Sequence, residues 1–204
     1  MRQVFLSALL MITSTAAFAQ FTNSSSSSSG NVSDGWNSLY VQYNPIALSR
    51  EHGDAIWFNG FSVGYGRAFA VSSQQPFYVE AGVAAQFAFA SESYYSEDMD
   101  YTLISVKIPV SFMYKWDVNE NFSLVPNVGL DFRINAYGNL SYDDEDFNLF
   151  DDEADWNRFQ VGWHIGANAM YKSFLFGASF GTDFNEIAKK CNMKTTSLTI
   201  GYKF

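Results

Sequence analysis

Two histidines and a dense set of acids are the residues of this 204-residue sequence with chemistry to offer. His52 lies in Ser49-Arg50-Glu51-His52-Gly53-Asp54, where a hydroxyl, an imidazole and a carboxylate fall close together. A hydrolytic triad is defined by geometry, and its members generally come from distant positions. A contiguous polar run of this kind reads as a solvated loop. His164 stands between Gly162 and Gly166, and a lone histidine among small and polar residues is more often structural than a general base. The single cysteine, Cys191, excludes a disulfide framework and any paired-cysteine metal site.

The acids raise the question of calcium, because hard cations take carboxylate oxygens. Between Gly138 and Asn157 lie Asp143, Asp144, Glu145, Asp146, Asp151, Asp152, Glu153 and Asp155, with no base among them. Glu92, Glu97, Asp98 and Asp100 form a second acidic group. An EF-hand register beginning at Asp144 places Asp146 and Asn148 correctly. It then fails, with Leu149 where glycine is required and Asp155 where glutamate is required. The acidic segment reads as a solvated loop that keeps an exposed end soluble. Phe147, Leu149, Phe150 and Trp156 sit among these acids, either as a contact surface or as packing for the loop. No catalytic residue, cofactor or metal site is expected.

The elements that carry these residues follow from composition and periodicity. The chain is 48% hydrophobic, 18% aromatic and only 16% charged. The aromatic content argues against disorder. The net charge of −9 argues against nucleic acid as a partner. Met1 to Gln20 has a positive Arg2, an apolar core and an Ala17-Phe18-Ala19 motif, which reads as a signal peptide over residues 1–19. The apolar run is too short to span a bilayer as a helix. Residues 20–36 contain six consecutive serines, Ser24 to Ser29, and read as a flexible linker.

From residue 37 to 204 the sequence alternates with period 2, the signature of strands. Eight segments alternate: Asn37 to Ala47, Asn59 to Val71, Phe77 to Ala90, Thr102 to Trp116, Phe122 to Tyr137, Arg158 to Tyr171, Phe174 to Phe184 and Thr195 to Phe204. The connections between them run long, short, long, short, long, short, long. An even number of strands with short turns at one end and long loops at the other matches a transmembrane barrel. A soluble barrel would turn the apolar faces inward. Those faces carry several Phe, Tyr or Trp on most strands, too much bulk for an eight-stranded interior. The opposite faces are small and polar, as in Ser62, Gly64, Gly66 and Ala68, or Gly177, Ser179 and Gly181. The fold class expected is therefore all-β: an eight-stranded antiparallel up-and-down transmembrane β-barrel with its aromatic face to lipid.

In these features the chain resembles the outer-membrane β-barrel superfamily of Gram-negative bacteria, of the small eight-stranded OmpA-like, OmpX-like and porin-family type. The closing run Leu198-Thr199-Ile200-Gly201-Tyr202-Lys203-Phe204 is similar to the terminal signal that the barrel-assembly machinery reads, with Leu198, Ile200, Tyr202 and Phe204 as its apolar positions. Lys107-Ile108-Pro109-Val110 is similar to a strand common in the porin-like families. The resemblance implies insertion in a bacterial outer membrane among lipid and lipopolysaccharide, assembly by that machinery, and a monomeric state. Lipid-A-modifying barrels of the superfamily use a His–Ser type site. None can be matched here residue by residue, and no role is carried over.

Strand parity places Glu80, Lys107, Lys115, Asp131, Arg133, Arg158, His164 and Lys203 in the lumen. A hairpin centred on Asn119 would set Lys107 directly opposite Asp131, where opposite charges should pair. The expectation is a plugged interior held by Glu80, Lys107, Asp131, Arg133, Arg158 and His164, in a protein with a structural or surface-interaction role. The alternatives are a small porin-like transport protein, or a lipid-modifying enzyme using His52 or His164.

Overall fold

In the computed structural model the described residues are 34–51, 54–94, 97–143, 145–151, 154 and 156–204. They form ten strands: β1 (Gly35–Arg50), β2 (Ile56–Ala70), β3 (Phe77–Tyr94), β4 (Glu97–Tyr114), β5 (Trp116–Asn119), β6 (Phe122–Tyr142), β7 (Glu145–Asn148), β8 (Phe159–Tyr171), β9 (Phe174–Asp183) and β10 (Cys191–Lys203). Eight long strands follow one another around a closed ring, β4-β3-β2-β1-β10-β9-β8-β6, and the pairing of β4 with β6 completes it. All of these pairings are antiparallel. Closure gives each of the eight long strands a partner on both sides, which hydrocarbon requires because it offers no hydrogen-bond partner.

The alternating residues divide as the period-2 pattern implies. Phe61, Phe112, Phe174, Phe176, Leu198 and Ile200 stand exposed on the outside, Ile200 by 58%. Rings also meet across strands on that surface: Phe77 stacks on Phe112 at 5.5 Å, and Phe174 meets Tyr202 edge-on at 5.9 Å. The terminal-signal residues Leu198, Ile200, Tyr202 and Phe204 are all on this exposed face.

The strands run longer than the alternation suggests. The expected second long loop, from Ser91 to Tyr101, is mostly strand, with Ser91 paired to Asp100 and Glu92 to Met99. The expected third loop contains the hairpin of β6 with β7, in which Ser141 faces Asp146. β6 has 21 residues, roughly 70 Å of extended chain. Only about 9–11 residues are needed to cross a bilayer, so these arms project beyond it. A bulge at Ile104/Ser105 against Asn135 to Tyr137 re-aims β6 at the base of its arm.

β1 begins at Gly35, so the strand takes up Trp36, which the expected linker boundary at residue 36 had left outside. Trp36 is buried at the short-turn end of the barrel. The expected signal peptide and the rest of the linker before residue 34 lie outside the described residues, as does His52.

Candidate functional site

The interior is built of three layers. At the short-turn end Trp36, Ala68, Tyr78, Met113, Val125, Met170 and Leu175 form a buried apolar cluster. At the long-connection end Ile46, Leu48, Ile56, Phe58, Ala88, Ala90, Leu103, Ile187 and Met193 form another. Between them lies a polar layer. The small and polar inward residues are therefore concentrated at mid-strand, with an apolar layer on either side. Several strands end their inward face in larger apolar residues, as β1 does with Ile46 and Leu48, and burying them near the rims removes apolar surface from water.

Two ion pairs cross the polar layer. Lys107 on β4 reaches Asp131 on β6 at 3.0 Å, and Arg133 on β6 pairs with Asp183 on β9. Lys107 and Asp131 are not directly opposite, as a hairpin centred on Asn119 would have them. Lys107 faces Arg133 and Asp131 faces Pro109. The cause is in the turn. Asn119 Oδ1 accepts the Asn121 N–H at 2.9 Å, a side-chain turn that places the reversal at Glu120-Asn121. The shift sets two cations opposite each other, which is unfavourable by itself. Each is satisfied by a different carboxylate, Lys107 diagonally by Asp131 and Arg133 by Asp183 two strands away.

His164 on β8 continues the chain. Its Nδ1 lies 3.0 Å from Asp131 Oδ1, and its Nε2 lies 2.9 Å from the Ser111 hydroxyl on β4. The ring fits because β6 carries Gly129 beneath it: a Cβ there would lie 2.7 Å from His164 Cε1. Gly64 does the same for Tyr40, whose ring a Cβ would meet at 2.5 Å. Tyr40, Glu80, Lys107, Ser111, Asp131 and His164 all line one interior cavity of about 70 Å³. Nearer the long-connection end, neutral pairs continue the layer. Ser62 donates to Asn44 (2.6 Å), Asn44 to Ser197 (2.7 Å) and Ser105 to Asn135 (2.7 Å). Buried polar groups are costly unless paired in this way.

The structure brings together Glu80, Lys107, Asp131, Arg133 and His164. It does not include Arg158. That side chain is exposed at the rim, lies 4.6 Å from the Phe150 ring and donates to the Ala136 carbonyl. The parity that placed it inside fails because β8 begins only at Phe159. Lys115 and Lys203 line a recess at the short-turn mouth, where Lys115 binds Asp117 at 2.5 Å. Ser111 and Asp183 are the members that sequence reasoning passed over. Both share the parity of their inward neighbours, Lys107 on β4 and Gly181 on β9, so the signal was present.

At the long-connection end Leu149 is buried, while Phe150 and Trp156 pack against the apolar layer. These residues tie the acidic segment to the barrel, and Phe147 alone of that group stays 44% exposed. Asp146 is occupied by hydrogen bonds from Ser141 (2.5 Å) and Asn139 (2.9 Å). Asp144, Asp152, Glu153 and Asp155 lie outside the described residues.

Comparison with known proteins adds three findings. A family model described as outer membrane protein beta-barrel domain matches residues 12–189. The attachment invasion locus protein Ail of Yersinia pestis, solved with the heparin analogue sucrose octasulfate, has 18% identity and a TM-score of 0.51, covering 84% of this chain and 100% of its own. Neisserial surface protein A has 10% identity and a TM-score of 0.51, covering 82% of this chain and 97% of its own. At such identities the likeness is one of fold. No curated protein matches the sequence.

Proposed function

The chain belongs to the outer membrane protein β-barrel domain family, and from that membership we propose an integral outer-membrane barrel with a plugged lumen and acidic extracellular loops, serving a structural or surface-interaction role. The observation that carries the reading is the layered interior. Apolar clusters occupy both ends of the lumen, and the cavity between them holds about 70 Å³. That is a small cavity and not a continuous aqueous channel along the barrel. Eight strands give an interior just wide enough for side chains, whereas open porins use roughly 16–18.

The exposed end carries Glu92, Asp100, Glu145, Asp146 and Asp151, with Phe147 beside them. That surface suits cationic partners or bridging ions. It opposes a polysulfated ligand such as the one found with Ail, because like charges repel. Lipid and lipopolysaccharide surround the aromatic face, the barrel-assembly machinery reads the C-terminal strand, and the barrel works as a monomer after removal of residues 1–19. It has no role in binding nucleic acid and no turnover of substrate.

Planar-bilayer recording from the folded barrel tests the plug. We expect a silent membrane. Steady ohmic conductance would overturn the reading and favour the small-pore alternative.

A further inference from the structure

β4 and β8 bring Ser111 and His164 level with each other on either side of Gly129, and Asp131 stands two residues along β6 from that glycine. The Ser111 hydroxyl is 2.9 Å from His164 Nε2, and His164 Nδ1 is 3.0 Å from Asp131 Oδ1. The two atoms are in contact but make no well-aligned hydrogen bond, and both are buried without a hydrogen-bond partner among the described residues, so a small turn of the ring would join them. Lys107 holds the second carboxylate oxygen at 3.0 Å and so keeps the first turned toward the ring. A hydroxyl, an imidazole and a carboxylate in this order form the arrangement that activates a serine: the carboxylate fixes the tautomer, and the free ring nitrogen takes the hydroxyl proton.

A structural network needs no empty space beside the hydroxyl. Here Ser111, His164 and Lys107 open onto the same cavity of about 70 Å³. We propose that Ser111 is a nucleophile that accepts an acetyl-sized acyl group from a small activated ester, with His164 as its base. In the step, Ser111 Oγ bonds to the acyl carbon and the ester C–O bond breaks. The proton moves from Oγ to His164 Nε2 and on to the departing alkoxide. The Lys107 ammonium on the cavity wall supplies positive charge for the oxyanion that develops. Asp131 is a positioning residue and acts through the ring. The step proposed is a stoichiometric modification of Ser111, compatible with a barrel that turns over no substrate.

The test uses vinyl acetate, a small ester whose enol leaving group becomes acetaldehyde. The whole barrel is treated in detergent, both folded and unfolded in urea, and acetylation at each serine is read by peptide mass spectrometry. General-base assistance should acetylate Ser111 about 100-fold faster in the folded than in the unfolded protein. His164→Asn should lose that advantage while the heat-modifiable gel shift shows a folded barrel. Asp131→Asn should lose most of it and Asp131→Glu should recover it, a difference that a purely structural carboxylate would not produce. A folded barrel whose Ser111 is acetylated no faster than in urea overturns the proposal. So does an advantage that survives His164→Asn.

Discussion

Breaking the Lys107–Asp131 pair measures how far the interior is sealed from water. The contact is 3.0 Å, and the two side chains are only 15% and 13% exposed. Removing one member of a buried pair typically costs about 3–5 kcal/mol, because the other charge stays buried alone. In Asp131→Asn the orphan is the Lys107 ammonium. Glu80 lines the same cavity, so a second carboxylate is within its surroundings, and the cost should fall at the low end, about 3 kcal/mol. In Lys107→Met the orphan is Asp131, which still has His164, and the cost should be about 2 kcal/mol, the value of one charged hydrogen bond. The double variant leaves no unpaired charge and should cost about 2 kcal/mol in total. The coupling between the positions is then about 3 kcal/mol. Equilibrium urea unfolding of each variant in lipid vesicles, followed by tryptophan fluorescence, gives all four corners of the cycle. Costs that add to within about 0.5 kcal/mol would refute the reasoning and mean that water reaches both charges.

Two further outcomes are expected. Gly129→Ala should destabilise the barrel by about 1–3 kcal/mol, the range for forced overpacking, because its Cβ would lie 2.7 Å from His164 Cε1 and would also meet the Val110 carbonyl; an unchanged urea midpoint would contradict the close approach. Hydrogen bonds from Ser141 and then Asn139 hold the Asp146 carboxyl below the ordinary value of 3.8, so its contribution to the β6–β7 hairpin is complete above that pH and fades as pH falls through the lowered value. Carbon-detected NMR titration should show its midpoint rise toward 3.8 in Ser141→Ala, and coincident midpoints would exclude those donors as the cause.

How much of this was legible in the sequence follows from the period of a strand. Side chains alternate strictly between two faces, so the eight segments, the outward aromatic set from Phe61 to Phe204 and the inward set containing Lys107, Asp131 and His164 could all be read from parity. Bulk alone settled which face meets lipid. Parity says nothing about the height at which residues on different strands meet. That depended on where the Glu120-Asn121 turn falls, and a shift of one residue in the hairpin centre moved Asp131 from opposite Lys107 to opposite Pro109. It also cannot mark where a strand begins, which is why Arg158 was placed inside and stands at the rim.

The sequence by itself determined the architecture and the membrane address, because both rest on local periodicity and on residue size. Only the tertiary structure decided the chemistry of the interior. The Arg133–Asp183 pair joins strands 50 residues apart, and the contact of His164 with Ser111 spans 53. Such contacts arise from ring closure and register, which are properties of all eight long strands together and of no single segment.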